Sequence, residues 1–175
     1  TTPESFTKST PAYFMNAKQT KYIYDILGGD DGRKLYDAVQ KGIDKAKALG
    51  ADVIIGLGHL GVDPSSSPWT SEEVIANTTG LDAVLDGHSH STIPQEIVKS
   101  KDGKDVILSS TGTKLNNLGK LTISADGKLH SELISDLEIE KDAKTKEVVD
   151  KIVAEFQTLL NKVVAHTDVD LTTQN

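Results

Sequence analysis

Val53-Ile54-Ile55-Gly56-Leu57-Gly58-His59-Leu60-Gly61 runs apolar without alternation and then turns on glycines around a histidine. A short apolar run with no polar face predicts a strand buried on both sides, as in a parallel sheet covered by helices. The same unit recurs about one α/β repeat later, where Leu81-Asp82-Ala83-Val84-Leu85 delivers Asp86-Gly87-His88-Ser89-His90. Ligands of open α/β sheets gather beyond the carboxyl ends of the strands, so the three imidazoles should converge at one sheet edge. Neutral imidazole is the commonest protein ligand for a transition metal, which makes His59, His88 and His90 the candidate metal ligands. Three histidines alone fit a single zinc ion with an open position. Two ions would normally want a bridging carboxylate and further donors. Asp63 and Asp86 lie nearby and read as turn residues, or as carboxylates that orient a ligating histidine, rather than as ligands.

Working outward, Tyr22 to Leu27 is a short β-type run ended by Gly28-Gly29, and the first 20 residues, rich in Thr, Ser, Pro and Lys, read as a surface loop. Asp30 or Asp31 should cap a helix to about Leu49, with Leu35, Val39, Ile43, Ala46 and Leu49 on one face and Gly50 as its stop. Pro64 to Pro68 reads as a flexible loop, and Thr70-Ser71-Glu72-Glu73 as the capping box of a short helix through about Asn77. Beyond Ile93, the runs Gln95 to Val98, Val106 to Ser110 and Leu118 to Ser124, with the turn dipeptides Asp102-Gly103 and Asp126-Gly127, predict an antiparallel meander continuing the sheet. Gly112 reads either as a plain strand-end turn or as a point that brings backbone near a metal.

Lys141 to about Ala165 has apolar residues at spacings of three and four, from Val149 through Phe156 and Leu159 to Val163, and predicts a long amphipathic helix. At about 1.5 Å per residue it would exceed 30 Å, enough to cross a domain face or join two domains. Its apolar stripe reads as core and the charges along Lys141 to Lys151 as a solvated face. His130 falls in an alternating strand pattern and should face solvent, whereas His166 sits at the expected helix end, where it favours the macrodipole. Neither is a site candidate.

Composition narrows the partners. The 175 residues contain 37% hydrophobic and 26% charged residues, an ordinary globular balance with enough chain for a core. A net charge of −7 opposes a nucleic-acid polymer, whose binding depends on Lys and Arg releasing counterions. No apolar stretch approaches the roughly 20 residues of a membrane helix. Cysteine is absent, which excludes disulfides and thiolate ligands and leaves the compartment open. The opening Thr1-Thr2-Pro3-Glu4, without an initiator Met or a signal segment, reads as cut from a longer polypeptide.

Gly58-His59-Leu60-Gly61, followed by LDAVLDGHSH from Leu81 to His90, resembles the last two metal-binding blocks of calcineurin-like metallophosphoesterases, in the branch with bacterial 5′-nucleotidases. Thr1-Thr2-Pro3-Glu4 and the strand Val106 to Gly112 also look like that branch, so the resemblance covers most of residues 1–140. It implies an α/β fold, half of an αββα sandwich with a mixed sheet, flanking helices and a long C-terminal linker helix. Residues 1–140 would be the C-terminal part of a catalytic domain, and 141–175 a linker toward a nucleotide-binding domain outside this chain.

By the same resemblance, His59 and His88 would bind a second or shared metal and His90, where some relatives would have Gln or Asn, would complete the first metal's ligands. The cofactors would be two divalent ions, zinc, manganese or similar, and the reaction hydrolysis of a nucleotide phosphoester by a metal-activated water. The family's earlier blocks, an Asp-x-His, a Gly-Asp and a Gly-Asn-His-Glu or Gly-Asn-His-Asp, supply the bridging Asp, an Asn ligand and the catalytic His. These are expected in an N-terminal half outside the chain, so no catalytic residue is assigned here and the fragment alone should be inactive. Relatives commonly act outside the cytoplasm, which implies an extracellular, cell-surface or periplasmic parent. Cyclic-nucleotide phosphodiesterase and nucleotide-sugar hydrolase activities share this metal chemistry. A different class is a non-catalytic α/β module that holds one metal through the three histidines.

Overall fold

A computed structural model describes residues 2, 11–24, 31–135 and 139–170. The chain divides into two compact units, Thr1–Asp136 and Leu137–Asn175. Residues 25–27 of the run expected from Tyr22, together with Gly28, Gly29 and Asp30, lie outside the described residues. So does most of the expected N-terminal loop. Tyr22 forms an isolated antiparallel bridge with Met15.

In the first unit, helix α1 (Arg33–Ala48) precedes strand β1 (Ile55–Leu57), helix α2 (Ser71–Asn77) and strand β2 (Ala83–Asp86). Strands β3 (Thr92–Lys99), β4 (Asp105–Thr111), β5 (Asn117–Ile123) and β6 (Leu129–Ser135) follow. The order in the main sheet is β1-β2-β4-β3, with β1 and β4 parallel to β2, and β3 antiparallel to β4. The histidine-bearing strands are therefore neighbours, in the register Ile55↔Ala83, Gly56↔Val84, Leu57↔Leu85. The fold is α/β with a mixed sheet, as expected.

Val84, Val106 and Leu108 on one sheet face pack with Leu81 against Ile43 of α1 and Ile75 of α2. Burying side chains as fully as Ile75 and Leu108 contributes roughly 1.5–3 kcal/mol each. Leu35, Val39 and Ala46 of the expected α1 face are half-buried, while Leu49, at the C-cap, is exposed. Asp31 is not the N-cap: that position is Gly32 at φ 77°, and Asp31 instead accepts the amide of Arg33 at 3.1 Å. Gly50 does end the helix. At φ 89° its amide reaches Lys47 O while that of Ala51 reaches Ala46 O, the paired bonds of a Schellman motif.

Three strand expectations are corrected. The run Val53 to Leu57 is not buried on both faces: β1 is an edge strand three residues long, and Leu57 is 83% exposed. The strand with the expected burial is β4, whose residues Val106 to Ser110 are all buried because it is central. The meander does not continue the sheet throughout, since β5 and β6 form a separate two-stranded sheet. β4 already bonds β2 on one edge and β3 on the other, so the strand that follows it cannot pair with β4 itself. Pro94 is tolerated because β3 is an edge strand, and Ser109 Oγ lies 3.1 Å from both Ile93 O and Pro94 O at the register shift there. The turns at Asp102-Gly103 and Asp126-Gly127 form as expected, both glycines at φ 81°.

Between the histidine units, the Thr70/Glu73 capping box forms in full. Pro64–Ser66 is a 3-10 turn rather than a flexible loop, with Asp63 accepting the amide of Ser65 at 2.8 Å, so Asp63 is a turn residue. The second unit carries helix α3 (Ala143–Leu160), capped by Asp142 on the amide of Thr145 at 2.8 Å. It ends before Ala165, which leaves His166 beyond the helix rather than at its last turn. The charged face is solvated, with Lys146 pairing Asp150 and Lys151 pairing Glu147. Phe156 and Leu159 are exposed at 52% and 67%, not core. No helix among the described residues is long and apolar enough to cross a membrane.

Gly42 and Gly50 make opposite predictions. Gly42 lies inside α1 with open space where a β-carbon would go, so Gly42→Ala should raise unfolding free energy by about 0.5–1 kcal/mol. Gly50 also has open space but a left-handed backbone, so Gly50→Ala should lower it by about 1–2 kcal/mol. Urea denaturation measures both. The same sign for the pair would contradict the helix end described here.

Candidate metal centre

The β1–β2 ladder continues past β1 into the first histidine loop, where the amide of Gly58 donates to Leu85 O at 2.8 Å. Beyond it the loop is tied to the end of β2 by side chains. Asp86 Oδ1 accepts the amide of Leu60 at 2.9 Å, Asp86 Oδ2 accepts that of Gly61 at 2.9 Å, and Ser89 Oγ accepts that of Val62 at 3.3 Å. Ser89 Oγ also lies 2.9 Å from Ser91 Oγ.

These bonds bring the loops close enough for His59 and His88 to meet edge to face, ring centroids 5.3 Å apart and planes at 66°. Two glycines make room. A β-carbon on Gly87 would sit 3.3 Å from His59 Nδ1, and one on Gly61 would sit 3.2 Å from His88 Cδ2. Gly61 also holds φ 81°, so a side chain there would be strained as well as crowded. The second loop carries strain of its own, with His88 at φ 83° and His90 at φ 56°. Left-handed non-glycine residues cost on the order of 1–3 kcal/mol and gather at functional sites, where surrounding bonds enforce them.

The structure thus brings together two of the three expected ligands. His59 is exposed and His88 half-buried, both at the carboxyl ends of adjacent strands, while His90 is exposed and lies outside the ring pair. Among the described residues, no three His, Cys, Asp or Glu side chains form a group that could hold a metal ion. Asp86-Gly87-His88 has the Asp-x-His spacing, but both Asp86 oxygens already serve backbone amides of the neighbouring loop. The two adjoining imidazoles thus offer ring nitrogens of the kind that bind transition metals, with no third His, Cys, Asp or Glu donor placed with them among the described residues. His130 is exposed on β6, as expected.

Sequence reading did not single out Ser89 or Ser71 as site-builders. The glycine signal was visible in Gly58-His59-Leu60-Gly61, since glycine permits close backbone approach, but what it makes room for is a cross-strand neighbour. A cavity of about 360 Å³ opens beside the ends of β2 and β4, bordered by Leu85, Asp86, Ser109, Ser110 and Asn117. That is the size of a small-ligand pocket.

No family model matches the chain. It is 34% identical over 64 residues to the trifunctional nucleotide phosphoesterase protein YfkN of Bacillus subtilis, a match covering 34% of this chain and 4% of that protein. It is 28% identical over 88 residues to a 2′,3′-cyclic-nucleotide 2′-phosphodiesterase/3′-nucleotidase of Haemophilus influenzae, covering 47% of this chain and 13% of that protein. The chain thus spans a minor part of the curated relatives it matches. The crystal structure of calcineurin-like phosphoesterase YfkN from Bacillus subtilis superimposes with a TM-score of 0.52 at 22% identity, over 92% of this chain and 51% of that one. The chain thus shares its fold with a calcineurin-like phosphoesterase and is similar in sequence, over 64 and 88 residues, to segments of two nucleotide phosphoesterases.

Proposed function

We propose that this chain supplies His59, His88 and His90 to the divalent-metal centre of a phosphoester hydrolase acting on nucleotides, in the manner of a 5′-nucleotidase. The observation that carries the reading is the His59–His88 ring pair at the ends of adjacent parallel strands, with the two loops tied together by Asp86 and Ser89 and a left-handed backbone at His88. The named relatives, a nucleotide phosphoesterase and a cyclic-nucleotide phosphodiesterase/3′-nucleotidase, support the substrate class. A bound divalent ion, zinc or manganese, lowers the pKa of water and polarises a phosphoryl oxygen, and a pair of ions does so at both attacking and leaving oxygens.

The chain's own residues have distinct tasks in this reading. His59 and His88 each offer a ring nitrogen to one ion, and His90, from the same strained loop, serves the other. Gly61 and Gly87 keep side chains out of the space the imidazoles occupy. Asp86 and Ser89 hold one loop against the other. The bridging carboxylate, the remaining donors and the catalytic histidine are assigned to an N-terminal half of the catalytic domain in a longer protein. There, residues 1–140 complete that domain and 141–175 lead toward a nucleotide-binding domain. We place that protein outside the cytoplasm or at the cell surface.

Calorimetry with Zn²⁺ or Mn²⁺ on the 175-residue chain tests the ligand assignment. His88→Ala should weaken binding by at least tenfold, and His130→Ala should leave it unchanged. Equal loss from both would mean that fold damage, not ligation, is being read. In the longer protein, chelation should abolish nucleotide hydrolysis and Mn²⁺ or Zn²⁺ should restore it. Turnover that survives chelation would remove the metal reading. Binding of one ion, at full strength, to the isolated chain would favour the non-catalytic three-histidine module.

A further inference from the structure

We propose that Asp86 is a positioning residue that holds His59 in register with His88, and that the Ser71 hydroxyl is its third hydrogen-bond donor. The consequence for metal affinity rests on the metal reading above; the positioning itself does not. Leu60 and Gly61 directly follow His59, and each gives its amide to a different oxygen of the Asp86 carboxylate, both at 2.9 Å. Asp86 stands two residues before His88, so one side chain ties the backbone of one histidine loop to that of the other. An ionised carboxylate accepts at both oxygens, whereas the amide of an asparagine would set a donor against a donor.

Ser71 gives the independent observation. Its hydroxyl is fully buried and has no hydrogen-bond partner, while its amide is already used on Gly61 O at 3.0 Å. A buried hydroxyl without an acceptor is costly, so such groups find partners. A β-carbon on Gly58 would sit 2.9 Å from Asp86 Oδ1 and 3.5 Å from Ser71 Oγ, so hydroxyl and carboxylate border the same space that Gly58 leaves open. The hydroxyl hydrogen rotates freely and Asp86 retains accepting capacity, which lets Ser71 donate to it directly or across one water. The loop from Gly58 to Gly61 is then fixed from two elements, β2 through Asp86 and α2 through Ser71.

Nuclear magnetic resonance on the metal-free 175-residue chain, followed by zinc calorimetry, tests this. Asp86→Asn should speed exchange of the Leu60 and Gly61 amides at least tenfold, remove the cross-peak between the His59 and His88 rings, and weaken zinc binding ten- to hundredfold. Ser71→Ala, a milder change, should speed the same amides two- to fivefold. It decides the matter if Asp86→Asn does not fold, because unchanged exchange in Ser71→Ala would overturn the proposal. Gly50→Ala, destabilising at the far end of α1, should leave the ring cross-peak and zinc affinity as in the parent chain. Asp86→Asn with native amide exchange and ring cross-peak but weaker zinc binding would make Asp86 a ligand and overturn its positioning role. Disrupted loops in Asp86→Asn, in a chain that binds no zinc even unsubstituted, would support the positioning role and refute the metal reading instead.

Discussion

The candidate site depends on the parallel pairing of β1 with β2 and on what happens where that pairing stops. Backbone bonding carries the ladder as far as Gly58 on Leu85 O. From there, side chains of the partner strand and its loop take over: Asp86 accepts from Leu60 and Gly61, and Ser89 from Val62. Parallel strands deliver both histidine loops to the same sheet edge, and these bonds keep the loops together after regular structure ends. Without that continuation, the loop carrying His59 would be joined to the loop carrying His88 only through the strands that precede them.

Much of this was legible in the residues, for reasons that can be named. Buried parallel strands carry apolar runs, so Ala83 to Leu85 could be recognised, and Gly50 and the Thr70/Glu73 box marked helix ends through local chemistry alone. What failed was whatever depended on a neighbour distant in sequence. The run ending in Leu57 looks as apolar as a central strand, yet it lies at the edge, because sheet order is set by pairing and not by composition. With both edges of β4 occupied, β5 cannot pair with the strand it follows, and it pairs with β6 in a separate sheet, which only the topology reveals. Asp86 could be suspected of orienting a histidine, but not that it would do so through the backbone of the opposite loop.

The site is also incomplete in an informative way. Two imidazoles adjoin, the nearby carboxylate is committed to amides, and no group of three donors stands ready among the described residues. Relatives named as nucleotide phosphoesterases are far longer than the segment this chain matches, with 4% and 13% of their length covered. Apolar surface is left open at Leu57 on the edge strand, and along Phe156 and Leu159 in the second unit.

The most direct measurement is a titration of the chain with Mn²⁺, reading paramagnetic broadening of the imidazole ring protons. Ligation by the paired loops predicts that His59 and His88 broaden first and together, at the lowest manganese concentrations, while His130 and His166 stay sharp. Broadening spread evenly over all five histidines, or beginning at His166, would contradict a metal centre at the ends of β1 and β2.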